Sequence, residues 1–421
     1  MFFHSRAGAA LAVMLAFLAA SACAETQPLT LAQAQRLALE RSRQLAAQNH
    51  AVSAARDMAV AAGQLPDPVL KAGIDNLPVS GPERLRVGAD FMTMRRIGVM
   101  QEFTSSDKRR WRAERFEREA ERARANGDVL AASISRDTAI AWLDRYYLEQ
   151  MGAEQARQVA QARDEIAAAE AAFRGGRGTQ AGLLEARAAL LALEERAAEL
   201  AQQTRSAALM LARWTDAPPE VALAGAPDTA SVAVDPATLE SSLLHHPKVM
   251  ALTRQADLAQ ADAELARANR RADWSVDLSF QQRGPGNSNM LSFGVSVPLQ
   301  WDRARRQDRE LAARLAEVEQ AQAERDEALR EHAADVRAQM AEWESGRARI
   351  ARYAQQVLPL AGQRAAAVLA AYRGGKASLA EVLAARRAQG EQRLQMLQLE
   401  RENARVWAQL TFIQPATKGH P

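Results

Sequence analysis

One short turn occurs twice in this chain, and it constrains the fold more than any other feature. It reads Ala172-Phe173-Arg174-Gly175-Gly176-Arg177-Gly178-Thr179. It returns as Ala371-Tyr372-Arg373-Gly374-Gly375-Lys376-Ala377-Ser378, starting 199 residues later. Each copy lies between long Ala-, Glu- and Arg-rich segments that read as helix. Paired glycines end a helix cheaply, because Gly accepts the left-handed conformation of a C-terminal cap. Thr179 and Ser378 can then cap a new helix, and Ser378 with Glu381 has capping-box spacing. Each copy therefore reads as a sharp helix–turn–helix tip. The chain reads as a duplicated unit, with a first repeat over 25–215, a linker over 216–235 rich in Pro, Ala and Val, and a second repeat over 236–413. Residues 414–421 are expected to form a disordered tail.

Within each repeat the order is helix, two strands, long helix, tip, return helix. A helix is expected over Leu31–Gln64, ended by Pro66-Asp67-Pro68. Strands follow at Val69–Leu77 and Arg95–Phe103, where the apolar period changes to two. From Ser105 to Phe173 there is no proline, and this reads as one helix of 69 residues, about 100 Å long. Thr179–Trp214 returns. The second repeat matches it, with a helix from Ala237 to about Arg271 and strands at Trp274–Gln281 and Leu291–Gln300. A long helix over Arg303–Tyr372, kinked at Pro359, and a return helix over Ser378–Ile413 complete it. Two short helices end to end equal one long helix in each repeat. The lengths thus suggest a rod with strands at one end and glycine tips at the other.

The strands bear on location. Trp274, Val276, Leu278 and Phe280 alternate with Ser275, Asp277, Ser279 and Gln281. Leu291, Phe293, Val295, Val297 and Leu299 form one side of the fourth strand. Such strands can cross a bilayer when tilted, but a sheet in lipid must close on itself. Four strands are too few to close, since eight is the usual minimum. The chain is therefore expected to supply a share of a barrel made by several copies. Trp274 and Trp301 fall at the helix-side ends of the third and fourth strands, as an interfacial aromatic girdle would.

The first 24 residues read as a secretory signal: a short polar start with His4 and Arg6, an apolar run Ala7–Ala20, and Ala22-Cys23-Ala24 before Glu25. Cys23 is the only cysteine, so no intrachain disulfide can form. An alternative reading makes Cys23 the lipidated first residue of a lipoprotein. No later segment approaches the ~18 apolar residues of a membrane-spanning helix. The formal net charge is +3, from 54 basic and 51 acidic residues that are interspersed rather than blocked, so nucleic-acid binding is not indicated.

This arrangement resembles the TolC family of outer-membrane exit ducts. The resemblance covers about residues 29–413. It rests on the duplicated helix–strand–strand–helix order, both Arg-Gly-Gly tips, Pro298-Leu299 closing the fourth strand, and Pro359 before the second tip. It implies a mainly α fold with a small membrane β-sheet. Long antiparallel helical hairpins would form a periplasmic α-barrel, and four strands per chain would join a 12-stranded barrel in a homotrimer. Asp75-Asn76-Leu77-Pro78-Val79, with the segment Asp90–Phe103, looks like the branch serving heavy-metal efflux (the CzcC and CusC type). The implied partners are outer-membrane lipid, a periplasmic membrane-fusion adaptor and an inner-membrane RND-type pump. The implied location is the outer membrane of a Gram-negative bacterium, with a large periplasmic part. By the same resemblance Arg174, Gly175, Gly176, Arg373, Gly374 and Gly375 would dock adaptor hairpins. Glu185 and Glu381 match acidic positions that close the resting tunnel in relatives, while Gly182 and Ala384 stand where relatives often carry Asp. For Glu381 the capping box is the competing role; for Glu185 it is a solvated or inter-helix salt bridge.

No nucleophile–base pairing, phosphate loop or dinucleotide fingerprint is present, so neither an enzyme nor a cofactor is expected. His245 and His246 are adjacent and would not face one site on a helix. Met92, Met94 and Met100 could be soft metal ligands, but packing or lipid contact is the plainer expectation. The same duct could serve multidrug efflux instead of metals. A periplasmic coiled-coil scaffold is the alternative of a different class, and the alternating strands speak against it.

Overall fold

A computed structural model describes residues 27–176, 179–232 and 243–412. The expected signal segment 1–24 with Cys23, a helix start at Ala237 and the tail 414–421 lie outside the described residues. The chain divides into two compact units. One is built from the described parts of 1–42, 133–234 and 337–413, the other from those of 43–132 and 235–336.

In the first unit, α1 (Leu31–Arg41) opens on a complete capping box. The Gln33 amide donates to Thr30 Oγ1 at 3.2 Å, and the Thr30 amide donates to Gln33 Oε1 at 3.0 Å. A single helix to Gln64 was expected, but Ser42 leaves helical geometry at ψ 109° and a new helix, α2 (Arg43–Ala62), begins in the other unit. No Gly or Pro marks that break. The long helix α3 (Ser106–Arg174) is continuous over 69 residues, as its lack of proline permits. It contributes to both units.

Trp142 and Leu143 of α3 are completely buried. Trp142 Nε1 donates to the Leu29 carbonyl at 3.0 Å. Leu29 is in turn bridged to the linker, its amide donating to the Ala222 carbonyl at 2.8 Å and its carbonyl accepting from Ala224 at 3.1 Å. Two more indoles hold the linker. Trp343 donates to the Thr229 carbonyl at 3.3 Å and Trp407 to that of Ser231 at 2.9 Å. Three of the seven tryptophans thus donate to irregular backbone.

The return helix α4 (Gln180–Thr215) ends at Asp216, which takes the left-handed conformation at φ 59°. The helix expected over Arg303–Tyr372 has three parts: α6 (Gln307–Arg352), a π turn over Tyr353–Val357, and α7 (Leu358–Arg373). The interruption lies just before Pro359 and has a direct cause. Proline lacks an N–H and its ring would strike the carbonyl four residues back, and the wider π turn relieves that clash. The final helix α8 (Leu379–Thr411) carries Arg405, which grips Asp144 of α3 with two bonds of 2.6 and 2.7 Å.

In the second unit, the helix expected from Ala237 is α5 (Pro247–Ala268) among the described residues. Pro247 occupies the first turn, where a missing N–H costs nothing. Ala256, Ala259 and Ala263 of α5 are buried with Val318 and Ala321 of α6, a contact built from small side chains. The four strands are β1 (Val69–Asp75), β2 (Met94–Phe103), β3 (Trp274–Gln282) and β4 (Met290–Ser296), in one antiparallel sheet of order β1-β2-β3-β4. β1 stops at Asn76, whose φ is 55°. β4 stops before the expected Gln300, because Pro298 cannot donate to a ladder. Among the described residues no helix is long and apolar enough to cross a membrane.

Candidate functional site: helix tips and a two-faced sheet

Both tips are in the first unit. At the second, Gly374 is the cap (φ −84°) and Gly375 takes the left-handed conformation (φ 74°). The Gly375 amide donates to the Tyr372 carbonyl at 2.9 Å and the Lys376 amide to that of Ala371 at 2.8 Å. That pair of bonds is a Schellman motif. At the first tip Gly176 repeats this (φ 73°) and donates to the Phe173 carbonyl at 3.0 Å. Arg177 and Gly178 lie outside the described residues. Only the second glycine of each pair therefore needs to be glycine. Gly375→Ala is expected to lower stability by about 1 kcal/mol or more from the left-handed strain. Gly374→Ala should be tolerated, since its added Cβ meets nothing nearer than 3.6 Å. Thermal unfolding of the two variants side by side checks the difference; equal losses would contradict the geometry.

Arg174 and Arg373 are the last residues of α3 and α7 and sit at the negative ends of their helix dipoles. Two arginines further on, which repeat with the tips, were given no role from the sequence. Arg187 pairs with Glu170 at 2.8 Å, and its repeat equivalent Arg386 pairs with Glu165. Both acids belong to α3, so the two return helices α4 and α8 are anchored to the same long helix. Burial pushes the Glu165 carboxyl upward, and the Arg386 guanidinium opposes that.

Glu381 and Glu185 have different surroundings. Glu381 Oε2 accepts from the Ser378 amide at 2.6 Å, while its own amide donates to Ser378 Oγ at 3.2 Å. The capping box is complete, and the bonds that the carboxylate accepts from the Ser378 amide and, at 3.0 Å, the Ser378 hydroxyl hold the Glu381 carboxyl below its ordinary range. A depressed carboxylate contributes stability above its unfolded pKa and loses it as pH falls through the folded one. The first turn of α8 should therefore loosen at pH below the usual glutamate range. Protection of the Ser378 amide against exchange, relative to its intrinsic rate, should fall there in the native chain, whereas Glu381→Gln, which can still cap, should show no such pH dependence. Glu185, in the first turn and a half of α4, is exposed and has no ionic partner among the described residues.

The sheet has two chemically different faces. Register places Leu70, Val99, Leu278 and Phe293 side by side, and Ala72, Ile97, Phe280 and Leu291 in the next row. These apolar side chains are solvent-exposed in the single chain, Phe293 at 69% and Leu291 at 72%. Phe103 stacks on Trp274 at 4.5 Å at one end of the same face. The opposite face is polar. Lys71 of β1 reaches Asp277 of β3 at 3.0 Å, across Gly98 of β2, and Arg96 pairs with Asp75 at 3.3 Å. Met94 and Met100 stand opposite Asp75 and Asp277 on this polar face. A period of two sets those two on the face opposite Ile97 and Val99. Met92 is exposed in the turn before β2.

His246 is an N-cap: its Nδ1 accepts from the Lys248 amide at 3.2 Å, and its ring lies 3.9 Å from that of His332. His245 is exposed beside it. Burial, then Lys248, holds the His332 imidazole below its ordinary range. Among the described residues no group of three or more His, Cys, Asp or Glu could hold a metal ion.

No protein-family model matches the sequence, and no curated protein matches it. Solved structures do. The outer-membrane channel OprN is 18% identical, with a TM-score of 0.75 over 92% of this chain and 90% of that one. CusC, solved in a study of folding and transmembrane channel formation, is 16% identical, with a TM-score of 0.77 over 91% of each chain. The open state of the MtrE outer-membrane channel of Neisseria gonorrhoeae is 19% identical, with a TM-score of 0.74 over 91% of this chain and 88% of that one. What the chain shares with them at such identities is the fold: mainly helical, with a small antiparallel four-stranded sheet.

Proposed function

We propose that the chain is the outer-membrane duct of a tripartite efflux system. The observation that carries this reading is the sheet. Its apolar face is exposed, and β1 and β4 each pair with one neighbour only among the described residues. Open edges beside an apolar face are tolerated neither in water nor in lipid. Edge-to-edge closure of three copies removes them and gives twelve strands. The polar face, with its Lys71–Asp277 and Arg96–Asp75 pairs, then lines a wet lumen. The channel neighbours support the same reading through their fold.

In this reading the helical part extends into the periplasm of a Gram-negative cell. The tips at Arg174–Gly176 and Arg373–Gly375 dock a membrane-fusion adaptor that links the duct to an inner-membrane RND-type pump. Glu185 is the better-placed gate residue, since the Glu381 carboxylate is engaged in its own cap. The exported class is heavy-metal cations, on the resemblance carried by Asp75–Val79 and Asp90–Phe103. The duct itself is passive.

Single cysteines at Leu70, Ala72 and Ile74 of β1, each combined with one at Leu291, Phe293 or Val295 of β4, test the closure. Oxidation should yield a cross-linked ladder ending at trimer. Monomer in all combinations would remove the barrel. Growth of a deletion strain on copper, silver, zinc, cadmium and cobalt, beside drugs and detergents, tests the cargo. Sensitivity confined to drugs would overturn the metal assignment and leave the duct standing.

A further inference from the structure

Beyond the end of β4 the apolar face continues without strand pairing. Val297, Leu299 and Trp301 are exposed at 53, 65 and 88%. The next residues are Asp302-Arg303-Ala304-Arg305-Arg306, all exposed, and Arg309 follows in the first turn of α6. The order along the chain is thus aliphatic, then indole, then guanidinium. That is also the order of chemistry met on leaving a bilayer: hydrocarbon, interface, headgroup phosphate.

The charges of this collar are not self-balanced. Asp308 is taken by Arg270 at 2.9 Å, with Arg303 at 3.8 Å. Asp107 is taken by Arg271 at 3.2 Å, and Asp273 by the buried Lys108 at 2.9 Å. Asp302 accepts from the Arg305 backbone amide at 3.3 Å. Arg305, Arg306 and Arg309 have no carboxylate partner among the described residues, with Glu310 the remaining acid of the segment. Gln300 Nε2 donates to the Asn269 carbonyl at 3.3 Å and fixes the segment against the end of α5. Surplus guanidinium groups beside an exposed indole suit bidentate binding of phosphate.

We propose that Arg305, Arg306 and Arg309, with Trp301, form a docking surface for the anionic phospholipid headgroups of the leaflet bordering the helical part. This rests on the reading that the sheet lies in a membrane. The surface would set how deep the sheet sits, because each guanidinium anchors at phosphate level.

The test uses the full chain reconstituted in phosphatidylcholine vesicles carrying trace spin-labelled phosphatidylglycerol or spin-labelled phosphatidylcholine. Wild type should immobilise the phosphatidylglycerol label about fivefold more strongly per headgroup contact, less so at high salt. The triple variant R305Q/R306Q/R309Q should show parity, and R305K/R306K/R309K should keep most of the preference. Parity in wild type, or an unchanged preference in the glutamine variant, overturns the headgroup surface and leaves the duct intact. If wild type enters no vesicle and immobilises neither label, the membrane reading falls and takes this proposal with it.

Discussion

Truncating Trp142 to alanine is expected to destabilise the chain by about 3–5 kcal/mol, the range for emptying a large buried aromatic site. Trp142 has no exposed surface, and its neighbours Leu143 and Ala139 are equally enclosed. The indole also stacks on Tyr146 at 5.5 Å. Its Nε1–H holds Leu29, which in turn carries the linker strand through Ala222 and Ala224. Trp142→Phe separates the two contributions. The Leu29 carbonyl keeps its bond from Ala224, so losing the indole N–H should cost only about 0.5–1.5 kcal/mol for the bond itself. Denaturant unfolding followed by circular dichroism measures both variants. An alanine variant within about 1 kcal/mol of wild type, less than the ~1.4 kcal/mol of a tenfold change in the folding equilibrium, would mean that this indole is not a keystone of the unit.

Adding a single methyl group at Gly98 should be nearly as damaging. A Cβ there would lie 2.6 Å from Ser279 Cβ, 2.8 Å from the Leu278 carbonyl oxygen and 3.0 Å from Ser279 Cα. Two of those atoms are backbone, so β2 and β3 must part to accept it. Gly98→Ala is therefore expected to cost about 1–3 kcal/mol from overpacking, and Gly98→Val more. The Lys71–Asp277 pair that bridges the same gap should weaken with it. Gly73 lies on the same polar face of the neighbouring strand. A methyl group added there would meet nothing within 4 Å, and Gly73→Ala should be silent. Ser279→Gly should rescue Gly98→Ala in part only, because the Leu278 carbonyl stays where it is. Resistance to unfolding in detergent reads out all four variants. Equal behaviour of the Gly73 and Gly98 variants would show that the strands yield freely there.

Much of the local structure was legible because local rules wrote it. The proline-free run before the first tip became one helix, and Thr30, Thr179 and Ser378 cap the helices that follow them. Errors gathered where a proline acts through a neighbour. Pro298 shortens β4, and Pro359 produces a π turn five residues long before it rather than a plain kink. Ser42 broke a helix with no breaker in view. The candidate site was legible only as spacing. The paired glycines marked the tips, yet which glycine was required depended on φ at Gly176 and Gly375.

The sequence by itself determined the elements: two tips, four alternating strands, one long uninterrupted helix, and the division of each strand into an apolar and a polar side. Those follow from capping chemistry, proline exclusion and a period of two, all acting within a few residues. Only the tertiary structure decided the partners. It set Lys71 against Asp277, 206 residues apart, and Arg405 against Asp144, 261 apart. It also anchored both repeat arginines, Arg187 and Arg386, on the same helix α3. A long-range ion pair leaves no trace in spacing, because any of the 54 basic residues could in principle meet any of the 51 acids. Which ones meet is set by how helices and strands pack, and packing is decided by contacts far apart along the chain.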